Sequence, residues 1–330
     1  MFSKIFIIIL VLITFLFPND AVYEGQGVQV FPIQETEIQM VSEQINIFRF
    51  SEDKWEVNVT GYFKNHGKTK TVQIGFPFEY SSPDFDPDFR LSGIQEASII
   101  QDSIETYFNP QFKAYLNGNE IDVVPKIGMK NPDLPISYDY IYTFNVHFEE
   151  QEIKKIEHTY QVGGYYEALG SSQFKYILET GSLWKDNIEN LVILMEINID
   201  LISTVHGIWP KEYEATEKEK SVVLTWKYNN IKPNFNITAT RLDWKVYQLN
   251  LDEIIEAHKD EQIPGISRFL INLICATYGY PFTNPFLKYQ FYFHSDKGIL
   301  NSWSNKFVEN PNFKIENIPE KYRTIIDELK

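Results

Sequence analysis

Cysteine and basic charge are both scarce in this chain. Its 330 residues include a single cysteine, Cys275, so an internal disulfide framework is excluded and an exported form would depend on its hydrophobic core alone. Lysine and arginine total 30 against 45 aspartates and glutamates, which gives a formal net charge of −15 at pH 7. Because an acidic surface repels phosphate groups, the composition disfavours nucleic acid and anionic lipid as partners.

Motifs of known catalytic and cofactor sites are missing as well. The chain contains no HExxH, CxxC or G-x-S-x-G pattern and no glycine-rich dinucleotide fingerprint, and its 6 histidines are scattered. The stretch at 162–173, VGGYYEALGSSQ, is rich in glycine but lacks the lysine of a phosphate-binding loop. The sequence therefore predicts no catalytic residue and no cofactor.

Alternating carboxylates offer one weak candidate for a metal site. Asp84, Asp86 and Asp88 alternate in SPDFDPDFR, and carboxylates at this spacing can converge on a calcium ion. The calcium loop of an EF-hand also needs glycine at its sixth position and glutamate at its twelfth, where this chain has Phe89 and Gln95. A solvated acidic loop, stiffened by two prolines, is therefore the favoured interpretation, and calcium is the alternative.

The N-terminus indicates export. Lys4 is followed by a run from residue 5 to residue 17 that is apolar except for one threonine, and Pro18 then breaks it. The run is shorter than the roughly 20 residues of a membrane-spanning helix and suits the apolar region of a signal peptide. We expect residues 1–20 to be a signal peptide and the protein to be periplasmic, in the cell envelope or extracellular. The alternative is an uncleaved segment that anchors the chain to the membrane.

Residues 21–248 have the alternating pattern of short β-strands. In WEVNVTGYFKN, Trp55, Val57, Val59 and Phe63 share one phase and therefore one face of a strand. Many such runs follow, separated by turn signals such as the Asn-Gly pair in NGNE. We predict an antiparallel, β-sandwich-like domain, and the lack of alternating strands and helices disfavours a doubly wound nucleotide-binding fold.

Residues 249–330 change to a helical pattern. Asn250, with a glutamate three residues later, has the spacing of a capping box. Ser267 can cap a second helix that runs through Cys275 and stops at Gly279, and Pro319 suits the first position of a last helix. The whole chain is therefore predicted to be α+β, with a mainly-β part followed by a small, mostly helical domain.

The segment INLICATYGYPF, residues 271–282, contains the single cysteine within a short apolar run. Spaced positions in and around it follow one pattern: Leu270, Asn272, Ile274, Ala276, Gly279, Tyr280, Phe282, Leu287, Phe291, Trp303, Asn310 and Pro311. With this pattern, the chain from residue 264 to its end resembles the YARHG domain of secreted bacterial proteins. The resemblance implies a location outside the cytoplasm, and no established activity comes with it.

The motif departs from this family at its charged positions. Cys275, Thr277 and Tyr278 stand where the family has tyrosine, arginine and histidine. A ligand held by that arginine and histidine would therefore find no equivalent here. We expect the segment to be a packing corner, with Cys275 buried as a small apolar residue and Gly279 ending the helix.

The predicted function is that of an exported cell-envelope protein with a non-catalytic binding or structural role. Its expected partner is a cell-wall glycan or another envelope protein, without a small-molecule cofactor. The alternative is a hydrolase that acts on cell-wall material through carboxylates brought together only in the fold. Two inward carboxylates at the bottom of an aromatic cleft would favour the hydrolase.

Overall fold

The computed structural model of the chain has a mixed α+β fold. The described residues are 25–28, 31–32, 37–51, 54–78, 111–127, 140–163, 172–242, 244–261, 263–293 and 306–330. A large, mainly antiparallel β region comes first and helices follow it, which confirms the predicted α+β class.

The strands and helices within these ranges have the following bounds. The strands are β1 (Gly25–Val28), β2 (Phe31–Pro32), β3 (Ile38–Arg49), β4 (Lys54–Asn65), β5 (Lys70–Phe78), β6 (Lys113–Leu116), β7 (Asn119–Ile121), β8 (Val124–Ile127), β9 (Tyr140–Phe148), β10 (Ile153–Gly163), β11 (Ser172–Ile177), β12 (Ile188–Asn198), β13 (Gly207–Trp209), β14 (Glu214–Glu217), β15 (Ser221–Ile231) and β16 (Asn236–Arg241). The helices are α1 (Ile199–Ile202), α2 (Leu251–His258), α3 (Ile266–Thr277), α4 (Pro285–Tyr292) and α5 (Glu320–Glu328), with short 3-10 turns at Glu179–Leu183, Trp244–Gln248 and Ile315–Asn317.

The strands form three sheets around a shared core. A central sheet has the order β14-β15-β12-β3-β4-β10-β6-β7, and two four-stranded sheets have the orders β1-β11-β16-β13 and β2-β5-β9-β8. Most neighbours are antiparallel, but β12 pairs with β3, and β11 with β1, in parallel. Trp55 of β4 stacks on Phe174 of β11 with 4.4 Å between ring centroids, and Phe76 of β5 lies 4.7 Å from Tyr160 of β10. Both smaller sheets therefore pack on the central one.

Alternation places the apolar side chains of β4 in this core. Trp55, Val57, Val59 and Phe63 are each at most 4% exposed, as their common phase predicts. Such a strand presents one apolar face to the core and one more polar face outward. The period-2 pattern of the sequence therefore predicted the buried face of β4 correctly.

A β-bulge changes the buried phase within β3. Ile38 and Met40 are buried before the change, and Ile45 and Ile47 are buried after it. The register of β3 against β4 shifts between Met40 and Ser42. Because of this bulge, β3 keeps its apolar side chains against the core on both sides of the break in alternation.

The turn between β6 and β7 has the predicted Asn-Gly geometry. Asn117 and Gly118 have φ values of 50° and 85°. Two consecutive positive φ angles match the twist of a two-residue hairpin, and an Asn-Gly pair adopts them at low cost. The local sequence therefore determines this hairpin.

The first helix of the C-terminal part, α2, begins with the predicted capping box. The side-chain oxygen of Asn250 accepts a hydrogen bond from the Glu253 amide at 3.0 Å, and the Glu253 carboxylate accepts one from the Asn250 amide at 2.8 Å. Two backbone donors that have no partner inside the helix are satisfied in this way.

Two predicted helix starts need correction. The N-cap of helix α3 is Gly265 rather than Ser267, so the helix begins at Ile266; Gly265, with a φ of 84°, turns the chain into the helix in a left-handed conformation. Helix α5 begins at Glu320, and Pro319 is its N-cap rather than its first residue. No helix in the described part of the chain is both long and apolar enough to span a bilayer.

The β and helical parts interlock near residue 248. Phe286 of α4 belongs to the main core, and its ring centroid lies 6.1 Å from that of Tyr213. In the opposite direction, Tyr247 packs with residues of α2 and α3 in a second cluster. The predicted division of the chain into two domains at this point stays a prediction.

Candidate ligand-binding site

A cavity of about 200 Å³ lies where the β region meets the helices. Strand β13 and the loop after it form one side, and α3 and α4 form the other. The described residues that line it are His206, Ile208, Lys211, Tyr213, Gly265, Arg268, Phe269, Asn272, Asn284, Phe286, Leu287 and Gln290. Because a protein cavity of about 150 Å³ can hold benzene, this junction cavity has room for a small organic molecule.

Two glycines allow α3 to come close to β13. A Cβ on Gly207 would lie 2.8 Å from the carbonyl oxygen of Pro264. A Cβ on Gly265 would lie 2.8 Å from both the amide nitrogen and the carbonyl oxygen of Ile208. The N-terminal turn of α3 is thereby held against an edge strand of the sheet, which fixes the helical side of the cavity.

His206 is buried in the floor of the cavity, and its hydrogen bonds define its tautomer. Its Nδ1 accepts a hydrogen bond from the Leu242 amide at 2.8 Å, so the neutral ring carries its proton on Nε2, which lies 2.9 Å from the Tyr247 hydroxyl. That hydroxyl donates to the Ser203 carbonyl at 2.7 Å. Burial lowers the pKa of His206 to about 3. Since both ring nitrogens are occupied, His206 is structural here and is not placed to act as a general base.

Two buried amides complete the floor. Gln290 is 2% exposed, and its side-chain NH₂ group donates to the Val205 carbonyl. Asn272 is 7% exposed, its side chain has no hydrogen-bond partner among the described residues, and its amide atoms are not fully buried. Asn272 is therefore placed to hydrogen-bond a molecule that enters the cavity.

The rim of the cavity is basic. Lys211 and Arg268 are exposed, and neither forms an ion pair with a residue that the structure describes. No acidic side chain occurs among the described lining residues. Burial raises the pKa of Tyr213 while the charge of Arg268 acts in the opposite direction, so the guanidinium lies within electrostatic reach of the cavity wall. The junction cavity thus combines a polar, buried floor with a positive mouth.

A second cavity, of about 440 Å³, lies beside β5, β9 and the segment that joins β7 to β8. It is the larger of the two, but Asp122, Val124 and Asn145 in its lining are exposed. Small-molecule sites usually bury most of the ligand's surface. We therefore favour the junction cavity, whose floor is buried, as the candidate site.

The residues predicted from the family motif lie on α3 and the turn after it. Ile274 and Ala276 are fully buried, and Asn272 reaches the junction cavity. Cys275 is half-buried rather than buried, because it lies at the edge of two clusters of buried side chains instead of inside either one. Burial raises the pKa of its thiol, which disfavours the reactive thiolate form.

Gly279 ends α3 with the predicted left-handed conformation. Its φ is 83°, its amide donates to the Ala276 carbonyl at 3.0 Å, and the Tyr280 amide donates to the Cys275 carbonyl at 3.0 Å. These two bonds form a Schellman motif. The Asn310 amide donates to the Gly279 carbonyl at 2.8 Å, so two separated positions of the family pattern are in direct contact.

The remaining predicted positions lie away from the junction cavity or outside the described ranges. Phe282 is buried and its ring centroid lies 5.1 Å from that of Tyr280, whereas Pro311 is exposed. Among described residues, no group of three or more His, Cys, Asp or Glu side chains is arranged to hold a metal ion. Outside the described residues lie the calcium candidates Asp84, Asp86 and Asp88, together with Trp303 and the signal peptide at 1–20.

Sequence reasoning missed most of the residues that line the junction cavity. Arg268 and Asn272 are four residues apart on one helix, and this spacing places them on the same face. The sequence alone could therefore have linked these two residues. Lys211 and Gln290 come from a loop and from another helix. Nothing in the local sequence connects those two positions with α3.

No family model matches the sequence, and no curated protein matches it either. Among solved structures, a protein of Legionella pneumophila that is provisionally described as a nutrient-binding protein has a TM-score of 0.54 and 20% sequence identity. The match covers 94% of this chain and 100% of that protein. At this identity, the similarity shows a shared α+β fold over nearly the whole chain.

Two solved enzyme structures overlap with part of the chain. The M1 zinc metallopeptidase of Deinococcus radiodurans has a TM-score of 0.34 and 9% identity, over 62% of this chain and 42% of the peptidase. Leukotriene A4 hydrolase of Saccharomyces cerevisiae has a TM-score of 0.33 and 9% identity, over 62% of this chain and 29% of the hydrolase. Similarities this distant and partial carry no argument about activity.

Proposed function

We propose that this chain is a non-catalytic binding protein that holds a small ligand in the junction cavity. The observation that carries the proposal is the side-chain amide of Asn272, which lines the cavity and has no hydrogen-bond partner among the described residues. A ligand polar group would satisfy it. The fold shared with the Legionella pneumophila protein supports the proposal, since that protein is described as binding a nutrient.

The hydrolase alternative is less well supported at this cavity. Glycoside hydrolysis usually needs two carboxyl groups that flank the scissile bond. The described lining of the junction cavity contains no carboxylate, and the hydrogen bonds of His206 are already used within the protein. Binding without chemistry is therefore the function that these groups support best. The small volume suits a free solute or one end group of a cell-wall glycan.

We also propose that the protein acts outside the cytoplasm, as a YARHG-like protein of the cell envelope. The charged and apolar pattern of residues 1–20 supports export. The contact between Gly279 and Asn310 supports the family resemblance, because it joins two positions of the motif that lie far apart in sequence. Recovery of the full chain from the cytoplasmic fraction alone would contradict export without bearing on ligand binding.

Native mass spectrometry of the protein purified from the cells that produce it tests the binding role. We expect a small non-covalent adduct on the wild-type protein. Asn272→Leu should lose the adduct and remain folded, because leucine has a similar size and the change breaks no side-chain hydrogen bond to a described residue. Asn119→Leu, at an exposed position of the β6–β7 hairpin, is the matched control and should keep the adduct. A wild-type protein without an adduct, or an adduct that Asn272→Leu retains, would contradict the proposal.

A further inference from the structure

We infer that the ligand of the junction cavity is a small oxyanion, a carboxylate or a phosphate, whose charged group binds between Lys211 and Arg268. The inference rests on the proposed binding function and adds the chemical class of the ligand. The observation behind it is the placement of two cations without ion-pair partners at the mouth of a cavity with no described acidic lining residue.

What distinguishes these two cations is that both line the same cavity. The net charge is −15, and several surface lysines are already paired with carboxylates, such as Lys218 with Glu196 at 2.6 Å. Lys211 and Arg268 have no such partner among the described residues, although acids outnumber bases in the sequence. An anion at the mouth would neutralise both charges. A cationic ligand would be repelled, and a neutral one would leave them unpaired.

The N-terminal end of α3 adds to the positive potential. The helix has 12 residues, and no side chain caps its N-terminus. Its first turn therefore has backbone N–H groups without an intrahelical partner, and the helix dipole places partial positive charge at this end. Gly265 and Arg268 both line the cavity, so the cavity lies beside this end of α3.

The polar groups of the lining are mainly hydrogen-bond donors. The side-chain oxygen of Asn284 already accepts from the Phe286 amide at 2.9 Å, which leaves its NH₂ group to donate. Arg268 and Lys211 offer only donors, and Asn272 contributes a further amide. Oxyanions accept several such bonds, and the planar guanidinium of arginine can bind a carboxylate or a phosphate through two parallel bonds.

The other end of the cavity constrains the rest of the ligand. Phe269 and Phe286 supply apolar walls and are each 2% exposed, and Asn272 supplies one buried polar group. A molecule that fits therefore has one oxyanion group, a short partly apolar body and one polar group that reaches Asn272. The volume of about 200 Å³ limits it to a small acid or phosphate ester.

Thermal denaturation of the full chain with defined probes tests the class of ligand. The probes are succinate, inorganic phosphate and the neutral diamide of succinate, each compared with chloride at equal ionic strength. We expect succinate or phosphate to raise the midpoint of unfolding and the diamide to have no effect. Stabilisation by succinate alone assigns a carboxylate, and stabilisation by phosphate alone assigns a phosphate ester.

Three variants test whether the anion that stabilises the protein binds at the junction cavity. Arg268→Gln and Lys211→Gln should each weaken the apparent affinity for the stabilising probe about tenfold or more, the usual result of losing a charged hydrogen bond. Lys232→Gln, at an exposed position away from the cavity, should leave it unchanged. The inference is overturned if neither anion stabilises the wild-type protein beyond chloride, or if Arg268→Gln responds like the wild type. If the anion test fails but the wild-type protein still carries an adduct that Asn272→Leu abolishes, the proposed binding function stands and only the oxyanion class is wrong. If the adduct test fails as well, the proposed binding function is also wrong.

Discussion

Replacing Gly265 by alanine is expected to lower the free energy of unfolding by about 3 kcal/mol, the combined effect of a left-handed backbone and a steric clash. Gly265 has a φ of 84°, a conformation that is unfavourable for a residue with a Cβ. The new methyl group would also lie 2.8 Å from backbone atoms of Ile208, and backbone cannot rotate away as a side chain can. Denaturant unfolding of the two proteins measures the loss.

Gly118→Ala is the matched control for this prediction. Gly118 has a φ of 85°, nearly the same as Gly265, but no atom lies within 4 Å of a Cβ built on it. The control should therefore lose only the conformational part, about 1 kcal/mol. Equal losses in the two variants would contradict the close packing of α3 against β13, and with it the geometry of the junction cavity.

Acidification from pH 7 to pH 5 is expected to lower the free energy of unfolding by about 4 kcal/mol through two buried histidines, about half from each. His158 is 1% exposed and His206 is 4% exposed, and burial lowers the pKa of each to about 3. The pKa of histidine in the unfolded chain is about 6.5, so below that pH the unfolded state takes up protons that the folded state does not. The stabilisation is complete above about pH 6.5 and is lost progressively as the pH falls toward 3.

His158→Phe separates this effect from general acid unfolding. The His158 ring lies among aromatic side chains, with centroids 5.4 Å from that of Phe76 and 6.1 Å from that of Tyr160, and neither ring nitrogen has a hydrogen-bond partner among described residues. Phenylalanine therefore removes the proton uptake without breaking a hydrogen bond. The variant should lose stability between pH 7 and pH 5 at about half the wild-type slope.

The ion-paired carboxylate of Asp252 contributes little to this change. The hydrogen bond from Lys321 and the charge of that lysine lower the pKa of Asp252 below its ordinary value, so its contribution is lost only at more acidic pH. A wild-type slope in His158→Phe, measured by urea unfolding at pH 7, 6 and 5, would show that the histidine is not held neutral by burial.

The parts of the fold that the sequence predicted are those set by local rules. The single phase of Trp55 to Phe63 predicted the buried face of β4, and Asn117-Gly118 predicted its hairpin. Asn250 predicted its capping box, and Gly279 predicted the end of α3. Each depends on the conformational preferences of a few adjacent residues.

Contacts between residues far apart in the sequence could not be predicted from local patterns. The parallel pairing of β3 with β12 joins residues about 150 positions apart, such as Ile45 with Ile193, and no local pattern specifies it. The family pattern includes Asn272 in a predicted packing corner, whereas Asn272 lines the junction cavity. Cys275 was expected to be buried, but its position at the edge of two clusters depends on how α3 docks against α5 and the β region.

The central claim is that a small ligand binds in the junction cavity, and hydrogen–deuterium exchange tests it most directly. The exchange of the full chain is compared with and without the low-molecular-weight fraction of extracts from the producing cells. The claim predicts slower exchange in residues 206–213, 265–272 and 284–290, and no such change in Asn272→Leu. Exchange that is unchanged in these segments, or protection confined to residues 121–124 and 143–145 around the second cavity, would contradict it.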